Sequence, residues 1–175
     1  MFLFLHKVQA AFFLYLLLCL LACQTSQQVE QKRVMHIFLT ENATFRGYNL
    51  GDSLSKIKAK AEMPPKHEDW LGLVYAYQVE KNCQMQVEYY ADNVQTGRKS
   101  NRLQAIIANI ELQDEIEAAN LYEEMQEFLI QKYGATSGNF GNLRWEDPLL
   151  NLEILLKLHP NKKGITLNFL TANHY

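Results

Sequence analysis

A mostly apolar run near the N-terminus sets the strongest constraint on this 175-residue chain. The run extends from Val8 to Ala22 and follows a short segment that carries His6 and Lys7. A helix that crosses a bilayer needs about 20 apolar residues, whereas the hydrophobic part of an export signal needs only roughly 7–15. The run therefore predicts a signal peptide at residues 1–22, so that the folded domain is built from the residues after it.

The run ends in Leu20-Leu21-Ala22-Cys23, which resembles the lipobox of bacterial lipoproteins. In that family the cysteine thiol receives a diacylglycerol, the chain is cut before the cysteine, and the new amine is acylated, for example with palmitate. The resemblance implies lipidation of Cys23 and firm anchoring, because two or three acyl chains hold a protein at a membrane. The alternatives are a plain secreted protein, which Leu20 at the third position before the cut fits poorly, and an uncleaved anchor.

Residue Gln24 carries a further implication of this resemblance. Lipoproteins kept at the inner membrane often have Asp at this position, so Gln24 favours the outer membrane with the protein facing the periplasm. Residues 23–33 are polar and lack periodicity, which predicts a flexible tether that spans at most about 35 Å. Residues 34–175 are then expected to form one domain, since roughly 140 residues suit a single core.

Charge and cysteine content narrow the classes of partner. The net charge is −2 at pH 7, so no overall field attracts nucleic acid.

Cys19 and Cys23 belong to the signal region, which leaves only Cys83 in the domain. One thiol permits neither an internal disulfide nor a paired-cysteine metal site, and we interpret it as passive. The domain histidines are scattered rather than at metal-ligand spacing: His36, His67, His159 and His174. We predict no metal and no cofactor.

The first half of the domain shows one short helix among strands. Val34–Thr40 is interpreted as the first strand, and a helix is predicted after the N-cap pair Asp52-Ser53, with Leu54 and Ile57 on its apolar face. Alternating apolar residues then predict three strands. These strands cover 73–79, 85–89 and 102–112.

The second half is dominated by a long amphipathic helix. Asp114–Tyr133 has one apolar stripe, with Asp114 as its N-cap and Gly134 at its end, and residues 135–142 are interpreted as a loop. Residues 152–158 and 165–169 alternate as a terminal hairpin. We therefore predict an α+β fold: a mostly antiparallel sheet of about six strands with one short and one long helix packed on it, in the order β-α-β-β-β-α-β-β.

The tetrapeptide Gly51-Asp52-Ser53-Leu54 matches the nucleophile block of GDSL-type esterases. That family also has an Asp-x-x-His near the C-terminus, but Leu156 stands three residues before His159 here, and the family's Gly-x-Asn-Asp block is absent. A serine without a base is a weak nucleophile, and Asp-Ser before an apolar-periodic run is an ordinary helix start. Catalysis by Ser53 remains the enzymatic alternative.

Aromatic residues provide the candidate binding surface. Tyr89 and Tyr90 point to opposite faces of one strand, so at least one is expected to be exposed or beneath a loop. We take Trp70, Tyr89 and Tyr90 as the candidate contact patch, because exposed tyrosine and tryptophan commonly anchor interfaces. Two charged groups are interpreted as solvated surface. They are the basic set Arg98, Lys99 and Arg102, and the acidic helix residues Glu115, Glu117, Glu123, Glu124 and Glu127.

Residues 50–77 are similar to the start of BamE/SmpA-like small lipoprotein domains. Those domains show a glycine, a serine or threonine, a short helix, a proline, and then a strand with aromatic residues. The matching positions are Gly51, Ser53, Ile57, Pro64, Trp70, Tyr75 and Tyr77. The chain departs from the family by its long second helix and its further hairpin. The resemblance implies a non-catalytic envelope accessory that binds proteins, and it transfers no binding residue.

The sequence thus predicts a membrane-anchored periplasmic lipoprotein that acts as a non-enzymatic interaction or accessory module. Its expected partners are the membrane, through the lipid, and a protein of the cell envelope. Two alternatives stay open: the serine esterase that uses Ser53, and a periplasmic carrier with a small-ligand pocket between helix and sheet.

Overall fold

The computed structural model describes residues 33–40, 43–91 and 102–172. The predicted signal peptide, Cys23 and nearly all of the predicted tether lie outside these residues. Within them, eight antiparallel strands form one sheet, and only one helix is longer than two turns. The architecture of the described chain is therefore mostly β.

Two helices and eight strands have defined bounds. The helices are α1 (Leu54–Lys60) and α2 (Glu115–Tyr133). The strands are β1 (His67–Glu68), β2 (Gly72–Glu80), β3 (Cys83–Tyr90), β4 (Ala105–Leu112), β5 (Ser137–Asn139), β6 (Asn142–Asp147), β7 (Leu152–Leu158) and β8 (Gly164–Thr171). Residues 33–38 are also helical. None of the helices in the described ranges is long and apolar enough to cross a membrane.

The strand order in the sheet is β1-β2-β3-β4-β8-β7-β6-β5. The first four strands form a meander from one edge to the middle of the sheet. Helix α2 then carries the chain to the other edge, and the last four strands return as a second meander, so that β8 pairs with β4 at the centre. Every pairing is antiparallel, as is usual for strands that follow one another through short turns.

The three helical segments of the described residues pack on one face of the sheet. Alternate strand residues point to that face and join a single buried cluster with Ile37 and Phe38 of the first helical segment, Ile57 of α1 and Leu121 of α2. The alternation follows from the period of two in a strand, which sends successive side chains to opposite faces. The other face of the sheet receives the remaining strand residues.

The predicted α+β fold class is wrong. The described chain is mostly β, its sheet has eight strands rather than six, and its element order differs from the predicted one. The first error lies at residues 33–38, which form a helix instead of a strand. Val34, Ile37 and Phe38 are buried whereas Leu39 is 54% exposed, which is the spacing of three and four residues that a helix produces.

The second error lies after α2. The expected loop over residues 135–142 contains β5, and β6 follows it directly. In β6 the buried Leu143 and Trp145 alternate with exposed residues, and Trp145 Nε1 donates to the carbonyl of Gly134 at 3.1 Å. Glycine supplies the two positive φ angles of this hairpin: Gly138, within β5, has a φ of 105°, and Gly141, in the turn between β5 and β6, has a φ of 87°.

Other sequence predictions are confirmed. Helix α2 begins after Asp114, whose carboxylate accepts hydrogen bonds from the backbone N–H groups of Ile116 and Glu117 at 2.7 and 3.1 Å. Such a cap satisfies amides that have no partner within the helix. The predicted short helix is α1, and the predicted terminal hairpin is β7 and β8.

Candidate binding face of the sheet

The face of the sheet away from the helices is the candidate site, and we call it the open face. Its residues are the outward side chains of β2, β3, β4, β6, β7 and β8. The described helices bury their apolar side chains on the opposite face. Even so, most central residues of the open face are only half-exposed. They include both polar and apolar side chains: Glu88, Tyr90, Ile107, Asn109, Leu155 and Asn168.

The strand register places the centre of the open face in a single row. Glu88 lies opposite Ile107, Ile107 opposite Asn168, Asn168 opposite Leu155, and Leu155 opposite Arg144. Neighbouring strands are about 4.8 Å apart, so this row extends over roughly 19 Å. Charged, amide and aliphatic groups therefore alternate across five adjacent strands.

The carboxylate of Glu88 is held by three donors on this face. Gln86 Nε2 and Asn109 Nδ2 donate to Glu88 Oε1 at 3.1 and 3.4 Å, and the hydroxyl of Tyr90 donates to Oε2. The hydrogen bond with Glu88, aided by burial, raises the pKa of Tyr90 to about 12. Tyr90 therefore keeps its proton and remains a donor at neutral pH, so the carboxylate has a fixed orientation.

The hydrogen-bond network continues from β4 to β8. Thr166 Oγ1 donates to Asn109 Oδ1 at 3.0 Å, and His159 Nε2 lies 2.7 Å from the same Thr166 oxygen. Since the hydroxyl has a single proton and gives it to Asn109, Nε2 of His159 is the donor to Thr166. A side chain at Gly164 would clash with this ring, because a Cβ there would be 2.4 Å from Nδ1.

On β6 and β7, the open face contains a carboxylate that forms an ion pair with an arginine. Glu153 is only 2% exposed, and its Oε1 lies 2.8 Å from Arg144 Nε. Arg144 also contacts Glu146, with 2.7 Å between Nη2 and Oε1. A buried carboxylate with a cationic partner avoids most of the cost of an isolated buried charge. Between this pair and Glu88, the buried Oδ1 of Asn168 has no hydrogen-bond partner in the described structure.

The structure separates the three residues of the predicted aromatic patch. Tyr90 lies on the open face, whereas Tyr89 has no exposed surface and packs against Tyr48 and Tyr75, with ring centroids 5.5 and 5.9 Å apart. Trp70 is 67% exposed in the loop before β2. Burial raises the pKa of Tyr89. Tyr90 therefore contributes to the candidate face, and Tyr89 contributes to the core.

Ser53 caps helix α1. Its Oγ accepts a hydrogen bond from Lys56 N at 3.2 Å and lies 2.9 Å from Ser55 Oγ. His159, the only histidine that the sequence placed suitably as a base, contacts Thr166 on the open face instead. Ser53 thus occupies the structural position that its local sequence predicts, and its contacts with Lys56 and Ser55 supply no general base.

We expect Ser53→Ala to lower the free energy of unfolding by about 1 kcal/mol, because the amide of Lys56 loses its acceptor. Ser55→Ala is the matched control, since Ser55 lies inside the helix and alanine favours helix there. Urea denaturation followed by circular dichroism measures both changes. Equal stability of the two variants would contradict the capping role, and turnover of short-chain aryl esters that disappears in Ser53→Ala would establish the esterase instead.

The other predicted chemical groups are dispersed. Cys83 is fully buried in β3, and burial raises the pKa of its thiol to about 11, so the thiolate is scarce at neutral pH. Arg102 Nη1 donates to the carbonyl of Gly51 at 3.1 Å, whereas Arg98 and Lys99 lie outside the described residues. No group of three or more potential metal ligands occurs in the described ranges.

Three acidic residues of α2 are exposed on its outer side, namely Glu115, Glu123 and Glu127, whereas Glu117 and Glu124 are partly buried. Glu123 and Glu127 line a shallow depression together with Gln126 and Phe140. The inner side of the helix is filled, since Tyr122, Met125 and Leu129 are completely buried. The predicted ligand pocket between helix and sheet would have to form where these side chains now pack.

Comparisons with known proteins provide one structural likeness. No protein-family model matches the chain, and no curated protein matches its sequence. The crystal structure of a DUF4309 family protein, YjgB from Bacillus subtilis, aligns with a TM-score of 0.42 at 9% sequence identity. The alignment covers 81% of this chain and 92% of that protein.

Proposed function

We propose that this protein is a lipid-anchored module of the bacterial cell envelope whose open face binds a protein partner without catalysis. The observation that carries the proposal is the open face itself, a wide sheet surface where oriented polar groups alternate with Ile107, Leu155 and Leu170. Interfaces typically combine apolar contacts with hydrogen bonds in this manner.

The size of the open face fits a protein partner. The six strands of the open face, about 4.8 Å apart and with about 20 Å of strand length, give a footprint of roughly 600 Å². One side of a standard protein–protein interface buries about 800 Å². A small ligand would use only part of such a flat surface, since small-molecule sites are concave and bury most of the ligand.

The position of Arg33, the first described residue, is compatible with a lipid anchor that precedes it in the chain. Arg33 Nε lies 3.5 Å from Glu80 Oε2, and Arg33 Nη2 lies 3.9 Å from Glu117 Oε2. These contacts put Arg33 at the end of the sheet where β2 ends, and the helical segment that follows packs on the core face. A tether that leaves from this point does not have to cross the open face.

Lipidation of Cys23 is tested on the native protein, purified from the membrane fraction of the cells that produce it. Mass spectrometry is expected to find the mature chain beginning at Cys23 with a diacylglycerol and an added acyl chain. Cys23→Ser is expected to move the protein from the membrane to the soluble fraction. An unmodified mature N-terminus, or an uncleaved leader, would refute the anchor and leave the proposed binding face untouched.

Binding by the open face is tested by site-specific photo-crosslinking in intact cells. A photoreactive amino acid at Ile107, Leu155 or Leu170 is expected to give a crosslink to one and the same protein, identified by mass spectrometry. Glu123 and Glu127 on the outer side of α2 are the matched control positions. Crosslinks from the helix positions only, or a different protein at each open-face position, would contradict the proposal.

A further inference from the structure

Two carboxylates on the open face differ in how their charges are balanced. Glu153 has the guanidinium of Arg144 at 2.8 Å. Glu88, by contrast, is hydrogen-bonded to amide and hydroxyl donors, and no cationic side chain of the described residues forms an ion pair with it. The hydrogen bonds orient the Glu88 charge, but none of them neutralises it.

The acceptor capacity of Glu88 is not exhausted by these contacts. A carboxylate offers about four acceptor positions. Three of them are occupied here, two on Oε1 and one on Oε2. Asn168, two strands away on the same face, also has an acceptor without a donor, its buried Oδ1. Only Ile107 stands between Glu88 and Asn168 in the cross-strand row. This part of the face therefore has acceptor capacity that its own donors do not fill.

The distribution of charge on the open face supports the same conclusion. Its basic side chains, Arg144 and Lys157, belong to β6 and β7. On β3 and β4, the charged outward residues are Glu88 and Glu111. A partner that covers this side of the face without supplying a cation would bury an uncompensated negative charge, which is costly.

We propose that the partner of the open face inserts a basic side chain, an arginine, against the Glu88 carboxylate, with apolar partner residues packed on Ile107 and Leu170. The inference rests on the proposed function and specifies the chemistry of the partner. Arginine fits better than lysine, because its planar fork of donors matches the geometry of a carboxylate that is held in a fixed orientation.

The test uses a peptide probe and the full isotope-labelled chain in detergent micelles. The peptide acetyl-Leu-Arg-Leu-amide is expected to shift the NMR signals of β3, β4 and β8 with a Kd of about 1 mM. The peptide with citrulline, the neutral isostere of arginine, is expected to bind at least about tenfold more weakly, because it lacks the charge. This comparison uses the unmodified protein, so it does not depend on the folding of a variant.

Two variants then locate the contact. Glu88→Gln keeps the shape and the acceptor of the side chain but removes the charge, and it is expected to weaken the arginine peptide about tenfold. Glu111→Gln is the matched control, since Glu111 is an exposed carboxylate on the adjacent strand of the same face, and it is expected to change the Kd less than twofold. Equal binding of the citrulline peptide, or an equal loss in both variants, would overturn the inference.

The result of the peptide test can be distinguished from the result of the crosslinking test of the proposed function. Crosslinks from the open face without selectivity for the arginine peptide would refute the role of Glu88 and retain the binding face. Arginine-selective shifts on α2, near Glu123 and Glu127, instead of on the sheet would also refute the role of Glu88. Selective binding at Glu88 without any open-face crosslink in cells would retain the site and refute the protein partner.

Discussion

Phe38→Ala is expected to lower the free energy of unfolding by about 3–5 kcal/mol, which would be a large part of the stability of a domain of this size. Phe38 is completely buried where the first helical segment meets the sheet. Its ring centroid lies 5.3 Å from that of Phe45, 4.5 Å from that of Phe128 and 6.3 Å from that of Phe169. Truncation would leave a cavity among three rings that belong to different parts of the chain.

Urea denaturation measures this change, with Leu39→Ala as the matched control. Leu39 is the next residue but is 54% exposed, so its truncation is expected to cost less than about 0.5 kcal/mol. Ile37→Ala is expected to cost about 2–5 kcal/mol, because Ile37 is also fully buried. In a strand, Ile37 and Leu39 would share one face. Similar costs for Ile37→Ala and Leu39→Ala would therefore contradict the helix.

The error at residues 34–40 shows a limit of short sequence patterns. A run of Val34, Met35, His36, Ile37, Phe38 and Leu39 is compatible both with a period of two and with a spacing of three and four. Its conformation is decided by distant contacts, since Arg46 Nη1 donates to the carbonyls of His36 and Ile37 at 3.1 and 3.2 Å. These contacts satisfy carbonyls near the end of the helix, and the sequence alone does not reveal them.

Local signals were more informative than long-range ones. The caps Ser53 and Asp114 act on amides two or three residues away, so the starts of α1 and α2 could be predicted. Leu143 and Trp145 also alternate as a strand requires, but the neighbouring glycines favoured a loop. Strand β5 has three exposed residues and no apolar pattern, and only its pairing with β6 defines it.

The candidate site was only partly accessible from the sequence. Tyr90 was selected as an aromatic residue, but Glu88, Asn109 and Thr166 were not selected as a group. They belong to three strands, and Asn109 and Thr166 are 57 residues apart. Their proximity follows from the register of β3, β4 and β8, and a shift of one residue would move each side chain to the other face of the sheet.

Gly72→Ala is expected to lower the free energy of unfolding by about 2–4 kcal/mol, because a side chain at this position has no space. A Cβ on Gly72 would lie 2.1 Å from the backbone oxygen of Tyr89 and 3.1 Å from its carbonyl carbon. The backbone of β3 is held on its other side by β4, so it cannot move away cheaply. Glycine at the start of β2 therefore permits the close approach of the two strands.

Gly134→Ala distinguishes this contact from the general effect of replacing a glycine. Gly134 has a φ of 83° and no atom within 4 Å of an added Cβ, so its replacement is expected to cost only about 1 kcal/mol of backbone strain. Thermal and urea unfolding measure both variants. Because Gly72 lies opposite Tyr90, which orients the Glu88 carboxylate, Gly72→Ala is also expected to weaken the arginine peptide at temperatures where the variant is folded. Two results together would contradict this prediction: an equal loss of stability in Gly72→Ala and Gly134→Ala, and an unchanged affinity of Gly72→Ala for the arginine peptide. They would show that β2 and β3 are not in close contact at Gly72, and that this contact does not set the geometry of Tyr90 and Glu88.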